Sequence, residues 1–473
     1  MARWIELARK FIGLHEVKGK EHNPEILQMW KDIKRGGIKD DETPWCFTGD
    51  TQILTENGFI RFDQLGNERV YQADERGILS LTHPERVQKN YTGDVFDISH
   101  RSINLTCDAG HRWWGRWGKS MVPHFGTLED ISADGLYIDR VFTGKEDGPW
   151  TDAQLELIAA FISDGKYRYS NGKNDGHPWS IDFEVSKERK VERLGGLGPD
   201  HVYTQSKVYG PLTKKPLTVF RFNYPAWFDD VFIEYKSLSP SFISSLSRRQ
   251  ALLFMRFYSV FDGDAKEAPS IYTADRIVLN DLLWIATVAG LHVAVQTRAA
   301  AGLSQKESFV ISYSETKASR HIRRKHVSRR EFKGEMYCVR VPHGRIVVKG
   351  ENSAPVVTGN CAAFVGAMLE RAGIKSSRFE SARSYESWGE KLKEPTDGCV
   401  VVFSRDGGGH VGFVVGQDSV GNLLVLGGNQ SDAVNVKAFP RSRVTAYRWP
   451  AGVPMPIGTL PVRAPAEFSK SEA

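Results

Sequence analysis

The sequence predicts a multidomain chain: a mostly β domain in two segments, an α/β domain inserted between them, and a discontinuous α+β domain outside. Changes of pattern along the chain predict it. Strand-like sequence begins at Cys46 and returns over 326–360. Between these segments, over 151–325, apolar residues recur with helical spacing. The flanks are 1–45 and 361–450, and the short helices of the first flank cannot bury their apolar faces alone.

Composition indicates the cellular compartment in which such a chain is found. Its 473 residues suffice for several domains, and its net charge of +6 is mild. Five cysteines without a Cys-x-x-Cys pair favour a reducing compartment over a disulfide framework. Residues 1–14 are typical of an amphipathic helix and not of a signal peptide, and no apolar run reaches transmembrane length. We therefore expect a monomeric, cytoplasmic precursor that contacts no membrane.

Local signals place the main boundaries. They predict a hairpin turn at 57–58, a linker over 144–149, and helices over 151–164 and 247–264. A basic run over 318–334 is either a DNA-contacting face or a solvated linker. The tail, 451–473, is rich in Pro and Ala and is predicted to be disordered.

The ends of the segment 46–360 carry reactive side chains. Asn360 precedes Cys361, and an asparagine amide can attack its own carbonyl, form a succinimide and cut the chain. Cys46 can attack the carbonyl of Trp45 and turn the amide into a thioester. Cys361 can then take the acyl group by thiol exchange. These residues resemble the two splice junctions of an intein, and the resemblance implies that 46–360 is removed and that Trp45 is joined to Cys361.

Four runs resemble the conserved blocks of inteins, which share a fold with hedgehog autoprocessing domains; they lie at 46–55, 107–111, 337–343 and 356–361. The resemblance implies a mostly β Hint splicing fold for 46–150 and 326–360, with no cofactor. It also implies that His111 protonates the departing amine and that His343 assists Asn360.

Two positions depart from that family. Asp108 stands where threonine is usual, and Gly359 stands where histidine is usual. An alternative explains the same region without splicing, because cysteines and histidines near these positions match zinc ligands, although a Cys-x-x-Cys knuckle is missing. The side chains of that alternative are Cys107, His111, Cys338 and His343.

Two runs in the inserted domain, 157–165 and 257–265, resemble the LAGLIDADG motifs of homing endonucleases. The resemblance implies two crossing helices that set Asp164 and Asp264 side by side, where they bind Mg²⁺ for phosphodiester cleavage, and Lys236 as the active-site lysine. The implied partner is double-stranded DNA. Possible phosphate contacts are Lys166, Arg168, Lys187, Arg189, Lys214 and Lys215.

Joining the flanks places Cys361 at a helix N-terminus, where a thiolate is favoured, with His410 opening a strand and Asn429 following the next strand. This arrangement is papain-like. The joined sequence resembles NlpC/P60 and CHAP-like cysteine hydrolases of a phage-associated group. The resemblance implies peptidoglycan as substrate, no cofactor, Cys361 as nucleophile, His410 as base, and Asn429 as the group that orients it, with Gln430 or Asp432 as alternatives.

The sequence thus predicts a self-splicing precursor that carries an endonuclease and matures a wall hydrolase, which acts after release or in a virion. Since Cys361 is both splice acceptor and nucleophile, the unspliced chain should lack hydrolase activity. Two alternatives remain: a DNA-binding or DNA-cleaving protein with vestigial flanks, and an autoprocessing domain that cuts without ligation.

Overall fold

The structure is a computed structural model. It describes residues 2–15, 23–32, 46–74, 76–120, 123–169, 176–209, 213–264, 269–300, 306–317, 319–341, 343–359, 364–377, 382–405, 408–428, 430, 434–456 and 460–463. Within these ranges the buried apolar side chains form two large clusters. One runs through the region between Phe47 and Val357, and the other is shared by the two flanks.

The helices and strands have the following bounds. The helices are α1 Arg3–Arg9, α2 Pro24–Asp32, α3 Asp152–Asp164, α4 Glu188–Gly196, α5 Phe228–Val231, α6 Pro240–Ser245, α7 Arg248–Asp262, α8 Arg276–Ala289 and α9 Phe364–Arg371. The strands before α3 are β1 Phe47–Thr48, β2 Gln52–Thr55, β3 Gly58–Arg61, β4 Val70–Ala73, β5 Ile78–Thr82, β6 Glu85–His100, β7 Ile103–Asp108, β8 Arg112–Trp117, β9 His124–Thr127, β10 Leu136–Asp139 and β11 Phe142–Thr143. The later strands are β12 Gly165–Arg168, β13 Ser180–Val185, β14 His201–Tyr209, β15 Thr213–Asn223, β16 Phe232–Glu234, β17 Ser237–Leu238, β18 Ser270–Thr273, β19 His292–Arg298, β20 Ser308–Ser314, β21 Ser319–Ile322, β22 Val327–Arg340, β23 Arg345–Lys349, β24 Val356–Gly359, β25 Glu390–Leu392, β26 Val400–Arg405, β27 Gly408–Gln417, β28 Leu423–Gly427, β29 Asn435–Phe439 and β30 Val444–Trp449. None of the helices in the described ranges is long and apolar enough to cross a membrane.

Two distant segments build one β body, defined here as the described parts of 46–150 and 319–359. Strands β1, β22, β6 and β7 close a barrel, in which β22 pairs with β6 from Val327 opposite Ile98 to Arg340 opposite Glu85. Two further sheets also mix early and late strands, in the orders β21-β10-β8-β9 and β11-β5-β4-β2-β23-β24. The β body therefore cannot form from either segment alone.

The basic run over 318–334 belongs to these strands. Arg320 is buried, where it donates to the carbonyls of Pro355 and Val293 at 3.0 and 2.8 Å. The last β segment therefore starts at Ser319, where β21 pairs with β10, and the predicted boundary at 326 is wrong. Further along, Arg329 and Arg330 form ion pairs with Asp94 and Asp97 of β6. The described part of this run is therefore not a linker, while the role of its exposed cations as a DNA-contacting face stays a prediction.

The inserted body, defined as the described parts of 151–317, centres on two helices. The side chain of Thr151 caps α3 and that of Ser247 caps α7, each in a capping box with a glutamine three residues later. Helices α3 and α7 pack against each other. Sheets β12-β13-β15-β14 and β18-β20-β19 lie in the two halves of this body. The helix predicted over 151–164 is confirmed, whereas the second ends at Asp262 and not at 264.

The outer body joins both flanks. Its sheet has the order β25-β30-β26-β27-β28-β29, and the core beside it contains Trp4 of α1, Met29 of α2 and Met368 of α9. The Trp4 indole N–H donates to the Gly398 carbonyl at 2.8 Å, and Arg371 forms an ion pair with Asp32. The first flank thus completes the core of the second.

Part of the C-terminal tail is ordered, contrary to the prediction for 451–473. Val462 forms a parallel bridge with Gln417, and the Arg463 side chain donates to the Val415 carbonyl at 2.7 Å. These backbone and side-chain bonds attach the tail to the end of β27, an interior strand of the outer sheet. A Pro- and Ala-rich composition therefore did not prevent pairing at residues 460–463.

The pairing of β10 with β21 makes Gly135 sensitive to substitution. Its φ is +76°, and a Cβ there would stand 2.3 Å from the Ile322 carbonyl oxygen. We expect Gly135→Ala to lower the thermal midpoint of unfolding, because the overlap adds to a backbone strain of about 1 kcal/mol. Gly58→Ala is the matched control in the same body, since its φ is +97° but its nearest neighbour atom is 3.6 Å away. Equal midpoints for the two variants in differential scanning fluorimetry would contradict this account.

Candidate functional sites

Both ends of the β body meet at one turn, residues 108–111, which we call the junction turn. The Cys46 N–H donates to Oδ2 of Asp108 at 3.1 Å, and the Asp108 N–H donates to the Cys46 carbonyl at 3.0 Å. At the other end of the turn, Nε2 of His111 lies 2.6 Å from Oγ1 of Thr358. The His111 N–H donates to the Asp108 carbonyl at 3.1 Å and closes the turn. One short turn therefore holds the first described residue of 46–359 and a residue next to its end.

The hydrogen bonds assign the proton of His111. The Thr358 hydroxyl donates to the Arg112 carbonyl at 3.2 Å, so its oxygen accepts from the histidine, and the imidazole proton lies on Nε2. The ring is 1% exposed, and its centroid lies 4.2 Å from that of Phe47 and 5.4 Å from that of Trp113. The aromatic walls fix the imidazole in a pocket from which water is largely excluded.

His343 lies close to the end of the last β strand. Its N–H donates to Oε1 of Gln72 at 2.8 Å, and it stands two positions before Arg345, which pairs with Gly359. Trp45, Asn360 and Cys361 lie outside the described residues. His343 therefore lies in the turn just before β23, which pairs with β24, and its assistance to Asn360 stays a prediction.

The cysteines of the β body pack as apolar residues. Cys46 and Cys338 share a small buried cluster with Val95 and Met336. Burial raises the pKa of the Cys107 thiol well above its ordinary value. Across the described part of the chain, no group of three or more His, Cys, Asp and Glu is placed to hold a metal ion. This packing does not favour the zinc alternative.

The paired carboxylates of the inserted body are those of Asp164 and Asp262. Helix α3 ends at Asp164 before Gly165, and α7 ends at Asp262 before Gly263. Both glycines are extended, and a Cβ on either would stand 2.7 or 2.8 Å from the Cα four residues earlier, so both helix ends favour glycine. Asp264 lies past its helix and accepts from the Ser270 N–H at 2.9 Å. The prediction of Asp264 as the partner of Asp164 is wrong by two residues.

A lysine that the sequence analysis missed joins these carboxylates. Nζ of Lys190 lies 2.5 Å from Oδ2 of Asp164 and 3.6 Å from Oδ1 of Asp262. Burial and the nearby Asp164 raise the pKa of Asp262. Lys190 precedes the buried Leu194 by one turn of α4, so helical spacing was the signal that would have placed it on the buried face.

Lys236 lies near the same two carboxylates, and its role as an active-site lysine stays a prediction. Burial lowers the pKa of its ammonium, although Asp262 and Asp164 favour the charged form. Its Nζ donates to the Ser163 carbonyl at 3.3 Å. With Lys190, the site then holds two carboxylates and two ammonium groups. The oxygens suit Mg²⁺, but the ammonium of Lys190 already stands between them, so this arrangement does not fit a divalent cation unless Lys190 moves.

The predicted phosphate contacts are in part used inside the protein. Lys166 and Arg168 of β12 pair with Glu184 and Asp182 of β13. Arg189 donates to two carbonyls at the end of α7, at 2.8 and 2.7 Å. These three cations therefore brace the fold around the paired carboxylates.

The outer body brings together His410 and Gln430. Nε2 of His410 lies 3.1 Å from Oε1 of Gln430, which is fully buried. The Gln430 amide donates to the Asn435 carbonyl at 2.7 Å, so its oxygen accepts from the histidine and Nδ1 carries the lone pair. The imidazole stacks on Phe439 with centroids 5.2 Å apart. Of the predicted orienting groups, the structure places Gln430 on His410, while Asn429 lies outside the described residues.

Cys399, expected to be structural, is buried in this core, and burial raises the pKa of its thiol to about 12. A thiol with that pKa stays protonated near neutral pH. Cys361, the predicted nucleophile of this body, belongs to the part of the chain that is not described.

The chain matches known proteins in different regions. Residues 350–429 match the family model of the CHAP domain. The ribonucleoside-diphosphate reductase subunit beta of Aquifex aeolicus is 23% identical over 387 residues, which cover 73% of this chain and 53% of that protein. The chain therefore spans about half the length of the curated relative that it matches.

Solved structures of homing endonucleases are similar to part of the chain. A variant of I-DmoI, in complex with its nicked target DNA and in the presence of manganese, has 13% identity and a TM-score of 0.24, covering 34% of this chain and 88% of that one. I-WcaI bound to its DNA recognition sequence has 12% identity and a TM-score of 0.25, covering 34% and 78%.

The loop that presents Lys236 depends on a buried acid. Lys236 has a φ of +62°, and the Leu238 N–H donates to Oδ2 of Asp281 at 3.0 Å. Burial raises the pKa of Asp281 to about 7, although this donor favours the ionised form. Because the folded pKa exceeds the ordinary 3.8, the loop is most stable below about pH 4 and loses stability as the pH rises to 7, on the order of 4 kcal/mol.

We expect Asp281→Asn to abolish this pH dependence, because the amide oxygen still accepts from Leu238 but carries no charge. Hydrogen exchange over residues 236–239 should be slower in the variant than in the wild type at pH 8 and equal at pH 4. Glu234→Gln, which changes an exposed carboxylate on the preceding strand, is the control. An unchanged pH profile in Asp281→Asn would refute the role of this acid.

Proposed function

We propose that 46–360 is a protein-splicing element that removes itself and joins Trp45 to Cys361. The observation that carries this proposal is the junction turn, which binds Cys46 through Asp108 and Thr358 through His111. Cys46 and Thr358 each lie within two residues of a predicted cut, and their contact with the same turn supports the proposal.

The residues have separate tasks in the proposed reaction. The Cys46 thiol adds to the Trp45 carbonyl and forms a thioester, and His111 supplies a proton in the pocket where the amine departs. Cys361 takes the acyl group by thiol exchange. Asn360 then cyclises and cuts the chain, with His343 polarising the peptide bond, and a shift from sulfur to nitrogen leaves an ordinary amide. No cofactor and no external energy are needed.

The flanks support the insertion from the other side. The outer body needs α1 and α2 to complete its core, so 1–45 and 361–450 act as one domain. The match to the CHAP domain lies at the C-terminal part and supports a hydrolase built from the joined flanks.

We infer that the joined flanks form a cysteine hydrolase of peptidoglycan. Cys361 attacks the amide carbonyl, His410 takes the thiol proton through Nδ1 and later gives it to the leaving amine, and Gln430 fixes the imidazole. The precursor is cytoplasmic, and the hydrolase acts at the cell wall after release or in a virion. The CHAP match and the bond between His410 and Gln430 support this function.

Mass spectrometry of the expressed chain tests the splicing proposal. We expect a ligated product of 1–45 with 361–473 and a separate 46–360 fragment. The double variant Cys46→Ala with Asn360→Ala should stay intact and should not clear cell walls, because Cys361 is then bonded to residue 360 and not to Trp45. Flanks that separate without ligation would favour autoprocessing, and an intact wild-type chain that nicks DNA would favour an endonuclease with vestigial flanks.

We infer double-stranded DNA as the partner of the inserted body, with cleavage by a Mg²⁺-dependent site as a second candidate activity. The crossing helices that end in Asp164 and Asp262, with Lys236 beside them, support it. The ammonium of Lys190 opposes it, since a cation at these oxygens must first displace that side chain. Since Lys190 blocks only the cation position, DNA binding and metal binding can be tested separately in this protein.

Lys190→Met is expected to bind Mn²⁺ at least tenfold more tightly than the wild type, because it removes the ammonium that stands between the two carboxylates and frees their oxygens for the metal. Isothermal titration calorimetry measures this. Within that background, Asp262→Asn should abolish the gain, and Asp264→Asn, the matched control, should keep it. No gain in Lys190→Met, or loss of the gain in Asp264→Asn, would contradict the assignment.

A further inference from the structure

We propose that Asp108 is a catalytic residue of the first splicing step, in which its carboxylate binds the nitrogen atom that leaves Trp45. The inference rests on the proposed splicing function and assigns a role to the position where this chain departs from the intein pattern. The proposed role depends on the negative charge of the Asp108 carboxylate. A threonine in the same place would offer only a neutral hydroxyl.

The geometry fixes that carboxylate at the reacting atom. Oδ2 of Asp108 accepts from the N–H of Cys46 at 3.1 Å, and this nitrogen belongs to the peptide bond that the thiol must break. The backbone of Asp108 donates in return to the Cys46 carbonyl at 3.0 Å. Asp108 is 3% exposed, ends β7 and pairs with Val95 of β6, so the strand ladder holds it in place.

The chemistry produces a positive charge at the same nitrogen. The Cys46 sulfur forms a bond to the Trp45 carbonyl carbon, the bond from that carbon to nitrogen breaks, and His111 relays the thiol proton to the nitrogen. The resulting amine takes one further proton from water near neutral pH and becomes an ammonium group. Atoms and electrons balance, and the step is an isomerisation followed by protonation.

The carboxylate binds the product of this step more strongly than the starting amide. Before the step it accepts from a neutral N–H; afterwards it accepts from an ammonium group, and charge-assisted bonds are about twice as strong. A buried anion gains most from such a partner. Conversion of an unstrained amide into a thioester is otherwise uphill. Asp108 therefore shifts the equilibrium towards the thioester.

The first step is measured alone in a parent chain that carries Asn360→Ala and Cys361→Ala, where neither transfer nor cyclisation occurs. Dithiothreitol then releases residues 1–45 at a rate set by the thioester population. We expect Asp108→Asn, which keeps the shape and removes the charge, to slow this release at least tenfold. Asp97→Asn is the control, since that carboxylate serves Thr106 and Arg330 on the same barrel and should leave the rate unchanged.

The outcomes separate this inference from the proposed function. Release from the parent but not from Asp108→Asn supports both, and equal rates in the two chains overturn the role of Asp108 while splicing stands. No release from a folded parent overturns splicing itself. If Asp108→Asn does not fold, by its circular dichroism, Asp108→Thr decides, because it restores the usual residue of the family: a rate equal to the parent overturns the role of the charge, and a slower rate supports it.

Discussion

The hydrogen bonds at the junction turn constrain the rest of the molecule. Asp108 holds Cys46 and His111 holds Thr358, so the ends of a long segment stay together whatever lies between them. This explains why the inserted body is tolerated. It enters and leaves the β body between strands that are already paired, β11 with β5 and β21 with β10, and so leaves the junction turn intact.

The outer body imposes a complementary constraint. Its core needs Trp4 and Met29 from one flank and the sheet from the other. The flanks can share this core in the full chain because the β body brings its two ends close together. In the proposed splicing reaction, noncovalent assembly of the flanks comes first, and one peptide bond is then closed between parts that already touch.

The sequence predicted the elements whose signals are local. The capped helix from Thr151 and the hairpin at Asn57 and Gly58 both form. It failed where long-range packing decides. Asp262, not Asp264, ends α7 beside Asp164, because α7 packs against α3 and the chain is extended from Gly263. Lys190 was missed because a lysine carries no apolar signal, although its spacing from Leu194 placed it inside.

Other differences have the same origin. Gln430 can accept from His410 because its own amide nitrogen donates a hydrogen bond to the Asn435 carbonyl. No sequence motif specifies this contact, which forms only in the folded chain. The basic run has the composition of an exposed surface, yet its arginines lie opposite the acids of β6. This placement depends on the register between β22 and β6, which exists only once the two segments pair. The role of a charged residue in a strand can thus be judged only when the residues opposite it on the partner strand are known.

The central claim is that both predicted cuts lie at the junction turn. A crystal structure of the precursor locked by Cys46→Ala and Asn360→Ala tests it most directly, since it locates the Trp45 carbonyl carbon and the Cys361 sulfur. The account predicts both atoms in one pocket beside Asp108 and His111, with no barrel strand between them. Atoms on opposite sides of the β body would contradict it.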